Sequence, residues 1–373
     1  MASFLKTAVA AVATTALLSG CGDNNGAKDT GNITGTEYLV TVTRPGTLNL
    51  VNMETYELTR QCDVPGGPAP GTIVMSPDNS VAYVLASQFS NVYGIDLRNC
   101  EVVFSTQQQE ANVQVRSLGS IAISKDGTEI YTHQNRVRKH TDHYESLPSQ
   151  VAVFDTSAGL NVKASRVFEA PRQITIMDTL DSGPLLLGGP DVYQMDVTSG
   201  EYSILIASRS ADDPNYAPRD VLTVWPMGPI NHQFSRLYST ARFAEPGNFD
   251  TAEWLWGVEQ VDLATGEASS EIFGPLNAVL FTGVRRPNHP DKIYGILNHL
   301  KEFDVPSQTE TRSVDLEHTY YCINFSRDGS KVYLSGALNK VAVYDADKLE
   351  KLTEVVLPGD GSMANSVVFN ATL

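Results

Sequence analysis

The chain has 373 residues, with 43 Asp and Glu against 27 Lys and Arg, a formal net charge of −16. That balance argues against a nucleic-acid partner, which needs a basic face to displace counterions. Hydrophobic residues make up 42% and charged residues 19%, a globular composition, and the length suits either one large repeat domain or several average ones.

In chain order, Lys6 and the apolar run TAVAAVATTALL come first, too short to span a bilayer, and read as a signal peptide over residues 1–20. The run ends in LLSGC, which resembles the lipobox of bacterial lipoproteins. The resemblance implies that Cys21 receives a thioether-linked diacylglycerol and becomes the new N-terminus; an ordinary signal peptide or a membrane anchor is the other reading. Residues 21–37 are polar and rich in Gly and Asn, as in a flexible tether. The expected location is the periplasm, lipid-anchored to a bacterial membrane, in an oxidising compartment. Gly22 rather than Asp follows the cysteine, so no inner-membrane retention signal of the enterobacterial kind is evident.

From 38 to 373 the pattern is nearly all strand. Short β-rich runs alternate with Gly, Asp, Asn, Ser and Pro clusters, and no long stretch shows helical period. The runs repeat about every 45–50 residues, within the range of propeller blades. Third strands align as VYGIDLRN, VAVFDTSAG, VYQMDVTSGE, VEQVDLATGE and VAVYDADKLE. A four-stranded sheet buries its faces only against other sheets, so such units stack radially until a ring closes. Inner strands read as TIVMS, GSIAIS, ITIM, VLTVW, AVLFTG, YCINFS and SVVFN. The last of these lacks following strands, and the first N-terminal strands lack an inner one. The expected fold is therefore all-β, one seven-bladed β-propeller with the C-terminal strand closing the first blade.

The recurrent acids Asp126, Asp155, Asp196, Asp262, Asp328 and Asp345 look like a site but are read as turn residues whose carboxylates hold backbone amides two residues on. Cys322 lies in the apolar run YYCINFS and reads as a buried thiol. Cys62 and Cys100 fall near opposite ends of neighbouring outer strands, which weighs against a disulfide despite the compartment.

A scan for chemistry finds no G-x-S-x-G, Walker loop, H-E-x-x-H, C-x-x-C-H or glycine fingerprint. No catalytic residue and no metal site is expected. His140 and His143 in the insertion 134–150 read as a solvated hairpin, metal binding being the weaker alternative. Further insertions cover 208–220 and 245–253, followed by Trp254 and Trp256, which are read as core, a cap on an interface being the other reading. Residues just before each inner strand should ring the mouth of the central channel: Arg116, Arg172, Asp220, Trp225, His318, Tyr320, Tyr321 and Met363. Converging Arg, His and Tyr side chains are typical of a binding surface.

At these residues the chain resembles a known family. FEAPRQIT, DVLTVW, HTYY and VAVYDADKLEK through LPGDGSM are similar to the β subunit of quinohemoprotein amine dehydrogenase, over about Tyr38 to Phe369. The resemblance implies a periplasmic heterotrimer that oxidatively deaminates primary amines. It implies no cofactor on this chain, a small subunit bearing cysteine tryptophylquinone, and a dihaem cytochrome c subunit. The propeller would help enclose the quinone-bearing subunit and the primary-amine pocket, and membrane contact would run only through the lipid anchor. That anchor departs from the family, whose known arrangement is soluble. Two other readings stand beside this one: a propeller lipoprotein that binds a protein, glycan or peptide without enzymatic activity, and a lactonase-like hydrolase, which the apolar inner strands disfavour.

Overall fold

The computed structural model describes residues 35–66, 71–221 and 228–373. The signal peptide, Cys21, most of the tether and Trp225 lie outside the described residues. Within them the chain forms seven antiparallel sheets arranged as a β-propeller.

Blade one has the order Ser366–Ala371, Thr36–Thr43, Thr47–Asn52, Glu57–Asp63 from the inside out, so the last strand of the chain is its innermost. Tyr38 faces Phe369 and Val40 faces Val367 across that join. Blades two to seven run inside out in chain order. Two expected inner strands shift: ITIM pairs as Ile176–Thr179, and AVLFTG as Thr282–Arg285. In both cases an apolar residue two positions ahead of the first ladder pair, Ile174 or Leu280, is buried and anchors the incoming chain in the core.

Alternation along each strand explains why the blades need one another. In Lys331–Ser335, Val332 and Leu334 join the core between blades six and seven, whereas Tyr333 joins the core between blades seven and one. Among the described residues seven such clusters occur, one at each junction between neighbouring blades. Each buried Leu, Val or Ile contributes about 1.5–3 kcal/mol.

The repeated acids behave as the turn chemistry requires. Asp328 accepts the Ser330 amide at 2.9 Å and the Ser326 hydroxyl at 2.6 Å, and Gly329 supplies φ +72°. Asp196, Asp262 and Asp345 each hold two amides at 2.7–3.0 Å. These carboxylates are occupied by their own backbone.

The sheets also twist, and twist overturns one expectation. Cys62 and Cys100 form a disulfide with Cα atoms 5.1 Å apart. Cys100 is not on an outer strand; it lies in the turn before the outer strand of blade two, with φ +64°. Blade twist swings the end of each outer strand sideways onto that turn of the next blade. The same contact recurs between blades two and three, where Val162 N–H donates to Ser105 O at 2.8 Å and Gln107 N–H to Val162 O at 2.7 Å. A cross-link over 38 residues stabilises by about 4 kcal/mol in the chain-entropy model, at the junction beside the closing strand. Cys322 is buried and unpaired, as expected, and burial pushes its thiol pKa up.

Candidate functional site

One face of the ring gathers the irregular chain. In six blades the segment leaving the outer strand hydrogen-bonds to that blade's own turn between its second and third strands, and in blade five to the third strand just past that turn. Examples are Val64 N–H to Gly46 O (2.8 Å), Ser117 to Phe89 (2.8 Å), Ala170 to Ser149 (3.1 Å), Arg209 to Pro190 (3.1 Å), Leu276 to Trp254 (2.9 Å), Tyr320 to Leu297 (2.9 Å) and Met363 to Gly336 (2.9 Å). Crossings and turns therefore share a face, and all three insertions lie on it. Gly35 packs on Ala371 at the opposite face, where the described chain begins.

The crossing face carries exposed apolar tips in strained backbone. Leu118, Leu338 and Met363 adopt φ of +41°, +51° and +64° while remaining 49%, 52% and 42% exposed. Bulky side chains rarely hold positive φ, and such outliers concentrate at binding surfaces.

The described residues among those expected at the channel mouth have different surroundings. Arg116 ties its crossing to the preceding blade through Ser90 Oγ and, at 3.3 Å, Gln88 Oε1. Arg172 is exposed beside Pro171, whose carbonyl meets His133 Nε2 at 2.8 Å. Asp220 is exposed and lies 3.7 Å from Arg209. His318 Nδ1 meets Thr319 O at 2.9 Å, its ring 4.2 Å from that of Tyr320. Tyr320 is fully buried, its hydroxyl on Glu317 at 2.8 Å. Burial opposes the Glu317 charge, but Lys351 and Tyr320 overcome it and hold its pKa at about 2. Tyr320 is thus a structural residue rather than a surface one. Tyr321 is half-buried, edge-on to Phe281 at 4.8 Å. Met363 is exposed, as described above. His140 and His143 stack at 4.4 Å, each on a carboxylate.

Blade five holds what sequence reasoning missed. Arg236 and Glu259 face each other across the two central strands, both side chains fully buried, at 2.6 Å. Arg236 also donates to Gly189 O and to Ser208 Oγ at 2.5 and 2.6 Å, bolting blade four and the 208–220 insertion to blade five. The second Glu259 oxygen takes Arg219 at 2.8 Å, and the Arg219 guanidinium lies 4.8 Å over the Tyr238 ring. Arg219 lines two concavities. One, of about 540 Å³, runs past Asp213, Tyr216 and Ser270; the other, of about 300 Å³, is lined by Gln173, Arg209 and Asp220. The available signal was two oppositely charged residues at core positions of a long hairpin.

Buried His133 sets a pH dependence. Burial lowers its pKa from 6.5 to about 4, with the Pro171 carbonyl acting the other way. The folded state therefore resists a proton that the unfolded chain accepts. Its contribution is full above pH 6.5 and is lost as pH falls toward 4, on the order of 3 kcal/mol at most. His133→Gln should flatten urea midpoints between pH 6.5 and 4; an unchanged slope would locate the dependence elsewhere.

No family model and no curated protein matches the sequence. Solved structures do. The chain is similar to dihydro-heme d1 dehydrogenase NirN in complex with DHE, at 14% identity and TM-score 0.55, over 91% of this chain and 76% of that one. It is similar to Kuenenia stuttgartiensis hydrazine synthase at 13% and 0.53, over 91% and 100%. A functionally unknown protein from Desulfotomaculum acetoxidans gives 11% and 0.55, over 91% and 100%. What they share with this chain is the propeller fold. At such identities the likeness carries no activity across.

Proposed function

We propose that this chain is the cofactor-free propeller subunit of a periplasmic oxidoreductase of the quinohemoprotein amine dehydrogenase kind. The carrying observation is convergence. FEAPRQIT, HTYY and LPGDGSM, the segments behind the resemblance, are far apart in sequence, yet all are crossings on one face, beside the strained and exposed Leu118, Leu338 and Met363. That face would seat the quinone-bearing small subunit, with the dihaem cytochrome c subunit completing the complex. Quinone and haem would carry the redox chemistry on those partners. The propeller would orient the small subunit and exclude water from the amine pocket. The similar fold of a protein named as a dehydrogenase is compatible with such a setting. A lipid on Cys21 would hold the complex at a bacterial membrane.

Purification of the native chain from its source should bring down a haem-absorbing companion and amine-dependent dye reduction. Arg172→Glu together with Met363→Ala should cut complex yield at least tenfold while the isolated propeller keeps its circular dichroism. A chain that purifies alone, with no haem companion and no amine turnover, would favour the alternative, a non-enzymatic lipoprotein that binds a protein, glycan or peptide.

A further inference from the structure

Blade five is built differently from its neighbours on the crossing face. Its central strands, Gln233–Phe243 and Ala252–Asp262, have 11 residues each, whereas the corresponding strands of blades two, four, six and seven have four to six. At ~3.3 Å per residue the hairpin stands about 15–20 Å beyond them. The chain before it lends support as a third strand, with Ala217 N–H on Ala241 O and Phe243 N–H on Asn215 O, both 2.8 Å.

The tip of this hairpin is ordered, aromatic and acidic. Asn248 caps the turn Phe249–Thr251, its side chain accepting the Asp250 amide at 3.0 Å and its carbonyl the Thr251 amide at 3.1 Å. Phe249 lies edge-on to Phe243 at 4.9 Å and 6.4 Å from Trp254. Phe249 and Trp254 nonetheless leave 61% and 52% of their surface in water. Trp256, two residues on and on the same face of the strand, is buried with its indole N–H on Ala278 O at 2.9 Å, so position along the projecting hairpin, not pleating, separates the buried tryptophan from the exposed one. Glu245, Asp250 and Glu253 flank the aromatic pair along the chain, and Arg242, the one Lys or Arg between 237 and 284, pairs with Glu253.

We propose that this tip is a docking anchor, with Phe249 and Trp254 entering an apolar pocket rimmed by Lys or Arg on a partner protein. Rigid aromatic side chains held in their bound geometry lose little entropy on docking and dominate interface energetics. The acidic collar selects the occupant. Segments that rest in a bilayer interface carry Lys and Arg, and an anionic leaflet repels carboxylates. A basic protein rim instead complements them and speeds association. The anchor relies on the reading above only for the partner's identity.

The test replaces Phe249 with p-benzoylphenylalanine in the full chain, in the source organism, and identifies cross-linked peptides. Cross-links to one partner chain are expected, within a stretch bearing Lys or Arg. Trp254→Ser, and separately Asp250→Lys with Glu253→Lys, should each weaken the purified complex at least tenfold, the second more at low salt, with the propeller's circular dichroism unchanged. A partner other than a haem or quinone subunit would retain the anchor and remove the amine dehydrogenase reading. The anchor itself is overturned by an absence of cross-links, by Trp254→Ser binding as tightly as wild type, or by Phe249-dependent binding to phosphatidylglycerol vesicles.

Discussion

A chain ending at Asn365 should fail to form a soluble ring. The missing strand, Ser366–Ala371, pairs with Thr36–Thr43 over six registered residues and places Val367 and Phe369 in the core between blades one and two. Asn365, left at the new terminus, holds Ile73 through both its side-chain oxygen and nitrogen, at 2.8 and 3.2 Å, so the damage reaches blade two. Without the closing strand, Thr36–Thr43 becomes an unpaired edge inside what was the ring, an open template for aggregation. Soluble yield and urea unfolding would read the effect. Phe369→Ala, which keeps the ladder, should lose about 3–5 kcal/mol and stay soluble. A truncated chain that remained monomeric with the wild-type urea midpoint would mean that closure does not hold this propeller together.

Glu259→Leu should be the most damaging single substitution in blade five. It strips the counter-charge from Arg236, which is fully buried, and an uncompensated buried charge costs about 3–5 kcal/mol. For a domain of this size that is a fall in Tm of about 5 °C. Arg219, a quarter exposed, can turn to water, so Arg219→Gln should cost about 1 kcal/mol or less. The double variant Arg236→Met with Glu259→Leu should recover much of the loss, because two apolar side chains of similar volume leave no charge unpaired. Calorimetric Tm values for the three variants form the check. Equal losses for Glu259→Leu and Arg219→Gln would show that burial of Arg236 is not what makes the acid necessary.

Much of the architecture was legible because it rests on local rules that recur in every blade. Strand alternation marked the core positions. The Ser-x-Asp-Gly turns announced themselves, and structure places Ser326, Asp328 and Gly329 in the bonds that pattern requires. The unmatched strand at the C-terminus called for a partner at the N-terminus, and Tyr38 meets Phe369 there. The site was legible only in part. Position ahead of an inner strand located the crossings, but not which side chains face water: Arg172 and Met363 do, whereas Tyr320 is buried on Glu317.

The sequence by itself determined the number of blades, the way the ring closes and the fate of the repeated acids, since each follows from periodicity or from contacts within a few residues. Tertiary structure alone decided that Cys62 reaches Cys100, that Arg236 and Glu259 share a buried core with Arg219 at its edge, and that Trp254 is exposed while Trp256 is buried. Those outcomes depend on how far each sheet twists and on which surface the next blade presents. Neither quantity is carried by the spacing of residues along one strand.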